Sequence, residues 1–114
     1  MIDKNTLTAN YYINSNGTLS STSNWYATDY IPITPGEIYQ TLGLSHGGSG
    51  TYIGLYNNSK TKVRTLLLTA NQDLIFTAGT TEVFARLSIR NLDNELQDAQ
   101  FFEISSTFYD CSGY

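Results

Sequence analysis

Side-chain alternation limits what this chain can fold into more than any other feature. In Tyr52-Ile53-Gly54-Leu55-Tyr56 the apolar aliphatic residues occupy every second position. Successive side chains on a strand point to opposite faces. If Ile53 and Leu55 enter a core, Tyr52 and Tyr56 share the other face, with Gly54 between them. The segment from Glu82 to Arg90 repeats the pattern: Val83, Ala85, Leu87 and Ile89 take one face, and Phe84, Arg86, Ser88 and Arg90 the other. No heptad and no sustained helical period runs through the chain. One helical turn or a loop over residues 92–100 is the only helical expectation.

The rest reads as strands separated by turn residues. Strands are predicted over residues 10–14, 25–33, 38–45, 52–56, 61–68, 74–77, 83–90 and 101–105, about eight in all. Residues 20–24 read as polar and irregular. Asn14-Ser15-Asn16-Gly17, Thr34-Pro35-Gly36-Glu37 and Asn57-Asn58-Ser59-Lys60 read as turns, and His46 to Gly50 as a glycine-rich loop. Pro32 marks an edge strand or a strand end. Such spacing predicts an all-β fold, an antiparallel β-sandwich of the jelly-roll type or a barrel. At 114 residues the chain has the size of one domain. The ordered core is expected over about residues 10–106. The segments before it and after Thr107 are expected to be disordered or to join neighbouring domains.

Charge excludes several partners. The formal net charge is -4, with six Lys and Arg against ten Asp and Glu. That balance lacks the basic stripe of a nucleic-acid binder and the polybasic patch of a membrane-surface binder. No apolar run is long enough to span a bilayer. The start, Met1-Ile2-Asp3-Lys4-Asn5, has no apolar core of a signal peptide. The expectation is a chain exported by another route or excised from a larger protein.

Catalytic machinery is not legible. His46 is the sole histidine and lies in the Gly/Ser loop, a poor platform for a nucleophile relay. Cys111 is the sole cysteine, so no internal disulfide forms. A transition-metal site needs clustered His, Cys and carboxylates. For calcium the candidates are Asp93, Asn94, Asp98 and Glu103, at spacings unlike an EF-hand loop. No phosphate-binding glycine motif is present. The chain is therefore predicted to be a non-enzyme without a cofactor or a transition metal.

What the alternation leaves over is rings and guanidinium groups. An aromatic ring stacks on the C–H face of a sugar, and a planar donor fork bonds to its hydroxyls or acids. Trp25, Tyr52 and Tyr56 are the candidate stacking residues. Arg86, Arg90 and Arg64 are the candidate hydrogen-bonding residues. Four of these have a competing structural use. Trp25 fits a core as well as a platform. Tyr52 and Tyr56 either line a groove or pack under a loop. Arg86 fits an ion pair with an acid such as Glu103 equally well. Tyr30 and Tyr39 are assigned to the core, and Lys60 and Lys62 to solvated turns.

The segment Asn24-Trp25-Tyr26-Ala27-Thr28-Asp29-Tyr30-Ile31-Pro32-Ile33-Thr34-Pro35-Gly36-Glu37-Ile38-Tyr39 resembles the W-x-x-(S/T)-D-Y-I-P-V-x-P-G-x-x-Y stretch of small jelly-roll modules. These modules occur in tail, baseplate and receptor-binding proteins of phages of Gram-positive bacteria. The segments from Tyr52 to Lys60 and from Val83 to Ile89 fit the same pattern. The order holds from about Asn10 to Glu103. The resemblance implies a β-sandwich of the carbohydrate-binding-module type, located in a virion and acting extracellularly on host cell-surface polysaccharide. Ligand contacts vary among such modules, so the resemblance transfers no site residue. The expected partners are a host saccharide and other domains or subunits of a virion, with no nucleic acid and no membrane insertion. The rival expectation is a structural module that decorates a virion and contacts protein alone.

Overall fold

The alternating pattern resolves into ten strands and one short 3-10 turn in a computed structural model, which describes residues 1–44, 51–68, 73–90 and 99–104. In chain order the strands are β1 (Thr8–Ile13), β2 (Leu19–Ala27), β3 (Ile31–Pro32), β4 (Ile38–Leu42), β5 (Tyr52–Tyr56), β6 (Lys62–Leu67), β7 (Ile75–Thr77), β8 (Phe84–Arg86), β9 (Ser88–Arg90) and β10 (Gln100–Ile104). The fold is all-β. Three antiparallel sheets run in the orders β1-β2-β9, β10-β4-β7 and β3-β8-β5-β6. One buried cluster draws on all three: Ile31, Tyr39, Ile53, Leu55, Phe76, Ala85, Ile89 and Phe101 among others.

The excess over eight strands comes from two divisions of predicted strands. Residues 25–33 split between β2 and β3, and residues 83–90 split into β8 and β9 at Leu87. Both breaks lie at one place, because these segments pair with each other. Trp25, Tyr26 and Ala27 oppose Arg90, Ile89 and Ser88, and Ile31 and Pro32 oppose Ala85 and Phe84. Thr28 faces Leu87, its N–H donating to the Leu87 carbonyl at 3.0 Å. Asp29 and Tyr30 are then left opposite Arg86 alone. One extra residue on one strand is a β-bulge, which breaks the ladder and re-aims the side chains beside it. Side chains take over the lost backbone bonds: Leu87 N–H donates to Thr28 Oγ1 at 2.9 Å, and Arg86 Nε–H to the Thr28 carbonyl at 2.8 Å.

Residues 20–24, expected to be irregular, belong to β2. Their polarity reflects position, since most of them are exposed. The register of β1 on β2 shifts between Ala9 and Tyr11. Asn10 and Asn24, both at φ 68°, mark this corner, and asparagine tolerates left-handed backbone better than most side chains. The chain before residue 10 is also structured. Asp3 caps a turn over Lys4–Thr6, and Ile2 and Leu7 pack against the core. At the centre of the β10-β4-β7 sheet, Tyr39, Phe76 and Phe101 stack with centroids 5.5–6.1 Å apart.

Strand β5 is covered on both faces. Ile53 and Leu55 are inaccessible, as the alternation requires, and Tyr56 is only 2% exposed. Its ring lies across Gly54, where a Cβ would fall 2.6 Å from Tyr56 Cζ. The glycine between the two tyrosines is thus the seat of one of them. Gly54→Ala must displace that ring, and such overpacking costs about 1–3 kcal/mol. Chemical denaturation should show a lowered midpoint; an unchanged one would mean that the Tyr56 ring is not pinned over residue 54.

Candidate functional site

Two hairpin loops, at residues 14–18 and 57–61, share one hydrogen-bond plan. Asn14 N–H donates to the Thr18 carbonyl and Gly17 N–H to the Asn14 carbonyl, both at 2.9 Å. Asn57 N–H donates to the Thr61 carbonyl at 2.9 Å and Lys60 N–H to the Asn57 carbonyl at 2.8 Å. In each loop the leading asparagine's Oδ1 accepts two further N–H groups, from Asn16 and Thr18 in one and from Ser59 and Thr61 in the other. An Asx side chain that mimics a turn in this way is why asparagine starts both loops. The plan puts its fourth residue in left-handed backbone: Gly17 at φ 75° and Lys60 at φ 62°. Glycine takes that conformation freely, whereas lysine there costs about 1 kcal/mol or more.

The first loop docks on the second hairpin. Tyr56 Oη donates to the Gly17 carbonyl at 2.7 Å, and Thr65 Oγ1 to the Ser15 carbonyl at 3.1 Å. The Lys62 stem passes so near Gly17 that a Cβ there would meet Lys62 Cγ at 2.8 Å. Between the docked loops opens a groove of about 530 Å³ whose lining includes Tyr30, Tyr56, Lys60, Lys62 and Arg86. Tyr30 is its centre. The Tyr56 ring meets it edge-on at 5.0 Å and Phe84 at 6.0 Å. Arg86 Cζ lies 4.6 Å and Lys60 Nζ 5.0 Å from its centroid. Both distances are within cation–π range. The bulge at Asp29 and Tyr30 places this ring there, opposite Arg86.

The groove gathers two of the six sequence candidates. Tyr56 forms its buried floor, and Arg86 stands beside the ring. Arg86 does not pair with Glu103: its Nε–H goes to the Thr28 carbonyl, while Glu103 Oε1 accepts from Tyr39 Oη at 3.1 Å. The other four lie elsewhere. Trp25 is buried against Tyr12, with centroids 6.2 Å apart. Tyr52 is half-buried on β5 and outside the groove lining. Arg90 is on β9 opposite Trp25, in a different sheet from Arg86, so the expected shared face of the two arginines is broken at Leu87. Arg64 is held by Glu82, which is itself 2% exposed. Its Nε–H and one Nη2–H reach the two carboxylate oxygens at 2.7 and 3.1 Å, and Nη2 also donates to the Thr77 carbonyl at 2.8 Å. His46, Cys111, Asp93, Asn94 and Asp98 lie outside the described residues, as does the helical turn or loop expected over residues 92–100 up to residue 98; Gln100 already belongs to β10.

Sequence reasoning missed Tyr30, Lys60 and Lys62. Tyr30 belongs to the repeated pattern of residues 24–39 and is expected in the core on that ground; its ring is instead half-buried on the face away from Ala27 and Ile31. For Lys60 a signal was available: in Asn14-Ser15-Asn16-Gly17-Thr18 and Asn57-Asn58-Ser59-Lys60-Thr61, lysine stands where the first loop has glycine.

Burial pushes the Tyr56 phenol up to about 12 from the ordinary 10.0; Arg86 acts against the shift and Tyr30 with it. A phenol with a raised folded pKa stabilises the fold fully below pH 10.0, and this contribution fades as pH climbs through about 12. The domain should therefore lose stability across that window. Tyr56→Phe should make the loss shallower while costing about 1–3 kcal/mol at neutral pH, from the stranded Gly17 carbonyl. Denaturation midpoints at several alkaline pH values check both effects. Arg64→Met should leave buried Glu82 without its cation and cost about 1–3 kcal/mol, because Arg64 is partly exposed and water screens the pair. It should leave groove binding intact; a ligand contact at Arg64 would give the reverse result.

No protein-family model matches the chain, and no curated protein and no solved structure matches it.

Proposed function

We propose that this domain is a non-catalytic carbohydrate-binding module with a jelly-roll β-sandwich architecture. In this reading it belongs to a phage tail or baseplate adhesion protein and binds host cell-surface polysaccharide at the bacterial surface. The observation that carries the reading is the open groove built around the half-buried Tyr30 ring, with Arg86 and Lys60 beside it. A flat ring offers a face for sugar C–H groups, and the neighbouring N–H donors suit hydroxyl or acid oxygens. The resemblance of residues 24–39 to phage adhesion modules supplies the setting. The groove is open to solvent, so one site binds weakly, because sugar hydroxyls exchange water for protein. Many copies on one particle would convert that into firm attachment.

A specific observation favours a second reading, a structural module of a virion that contacts protein alone. Strand β6 is a sheet edge, and Val63 and Leu67 on it are 40% and 46% exposed. An open edge with apolar side chains is a ready surface for another chain.

The test is labelling of intact cells from a panel of Gram-positive strains by fluorescent, multimerised domain. Strain-selective labelling is expected, competed by wall polysaccharide isolated from the same strain. Tyr30→Ala should weaken it about tenfold, the scale of one lost stacking contact, and Tyr52→Ala should not. A folded multimer that labels no strain and binds no isolated polysaccharide would move the structural reading ahead.

A further inference from the structure

Resting on the glycan reading of this groove, we infer that its ligand is an anionic saccharide. A carboxylate or phosphate on the sugar would be held by Lys60 and Arg86 beside the ring that stacks on Tyr30. Three of the chain's six Lys and Arg, namely Lys60, Lys62 and Arg86, line this one groove, on a chain whose net charge is -4. Among the described residues no Asp or Glu lines it. Among the described residues these three cations pair with no carboxylate, whereas Arg64 on the same sheet is neutralised by Glu82. Arg86 uses its Nε–H on the Thr28 carbonyl, which fixes the plane of the guanidinium. Among the described residues its terminal N–H groups have no acceptor, so the fork that suits a planar or tetrahedral anion is open.

Lys60 carries the argument beyond charge counting. The twin loop shows that this turn is built readily with glycine at its fourth position. Lysine at φ 62° accepts backbone strain there, and its ammonium stands 5.0 Å from the Tyr30 centroid and 5.6 Å from that of Phe84. Persistent backbone strain clusters at ligand sites. Covering the rings alone does not require a charge, since an apolar side chain in relaxed backbone would do that. The placement answers to a negative group arriving from solvent.

The same geometry supplies a clean test, because Lys60→Gly relieves the strain and should leave the thermal midpoint unchanged or raised. Binding of the intact domain, presented as a multimer, would be measured on immobilised polygalacturonate, poly(glycerol phosphate) and a neutral β-glucan, and on total wall polysaccharide from the strain panel. Expected is binding to at least one of the two acidic polymers over the neutral one, weakened by salt. Lys60→Gly should weaken it about tenfold, the scale of one hydrogen bond to a charged group. Preference between the acidic polymers distinguishes a carboxylate from a phosphate ligand. Equal, salt-insensitive binding to the neutral glucan, or full binding by the glycine variant, would overturn the inference and leave the glycan reading standing. No binding to any polymer or wall fraction would sink both.

Discussion

The buried hydroxyl of Tyr56 donates to the Gly17 carbonyl, and the groove depends on that bond, which with the one from Thr65 to Ser15 ties together two hairpins distant in sequence. Its ring lies across Gly54, its edge supports Tyr30, and its hydroxyl holds down the loop that forms the opposite wall. Each of these contacts needs the others. A side chain at residue 54 would lift the ring. A side chain at residue 17 would strain the turn and collide with Lys62. Gly54 is thus constrained by the tyrosine and Gly17 by its turn and by Lys62, and both hold the tyrosine in place. Burial is also what keeps its phenol protonated into strongly alkaline solution.

The β-bulge at Asp29 and Tyr30 does the complementary work on the other side of the groove. Trp25, Ala27, Ile31 and Ile33 enter the core, so alternation puts Tyr30 on the other face of the segment. The extra residue leaves Asp29 and Tyr30 together opposite Arg86, and the half-buried ring stands beside that guanidinium. Thr28 makes the interruption tolerable, since its hydroxyl accepts the Leu87 backbone N–H and its carbonyl accepts the Arg86 side-chain Nε–H. A buried N–H without an acceptor would cost enough to disfavour the bulge.

Charge is distributed in two ways on this small domain. Arg64 meets a carboxylate that is almost fully buried, is fixed bidentately and props the turn at Gly79, whose N–H also reaches Glu82 at 2.7 Å. Lys60 and Arg86 instead sit against aromatic faces, which attract cations without neutralising them. The first arrangement uses up an arginine's hydrogen-bonding capacity; the second leaves net positive charge facing solvent.

How much of this was legible follows from which constraints are local. Period-two alternation and turn chemistry need only neighbouring residues, so the all-β class, the extent of β5 and the turns led by Asn14 and Asn57 could be read directly. Ile53, Leu55, Ala85, Leu87 and Ile89 are core residues on that ground. Polarity misled at residues 20–24 because an exposed strand need not bury either face. The bulge, by contrast, rests on bonds spanning 58 and 59 residues, and no local pattern encodes them. For the same reason the arginines could be named as candidates but not sorted. Arg64, Arg86 and Arg90 look alike in the chain, and only packing gives one a buried carboxylate, another an aromatic ring and the third a place opposite Trp25. The sequence alone determined the all-β class, strand β5, the asparagine-led turns and the core-facing residues of the alternating segments, because those depend on the nearest neighbours along the backbone. Tertiary structure alone decided which rings and cations share a groove, because that depends on which distant carbonyls and carboxylates satisfy them.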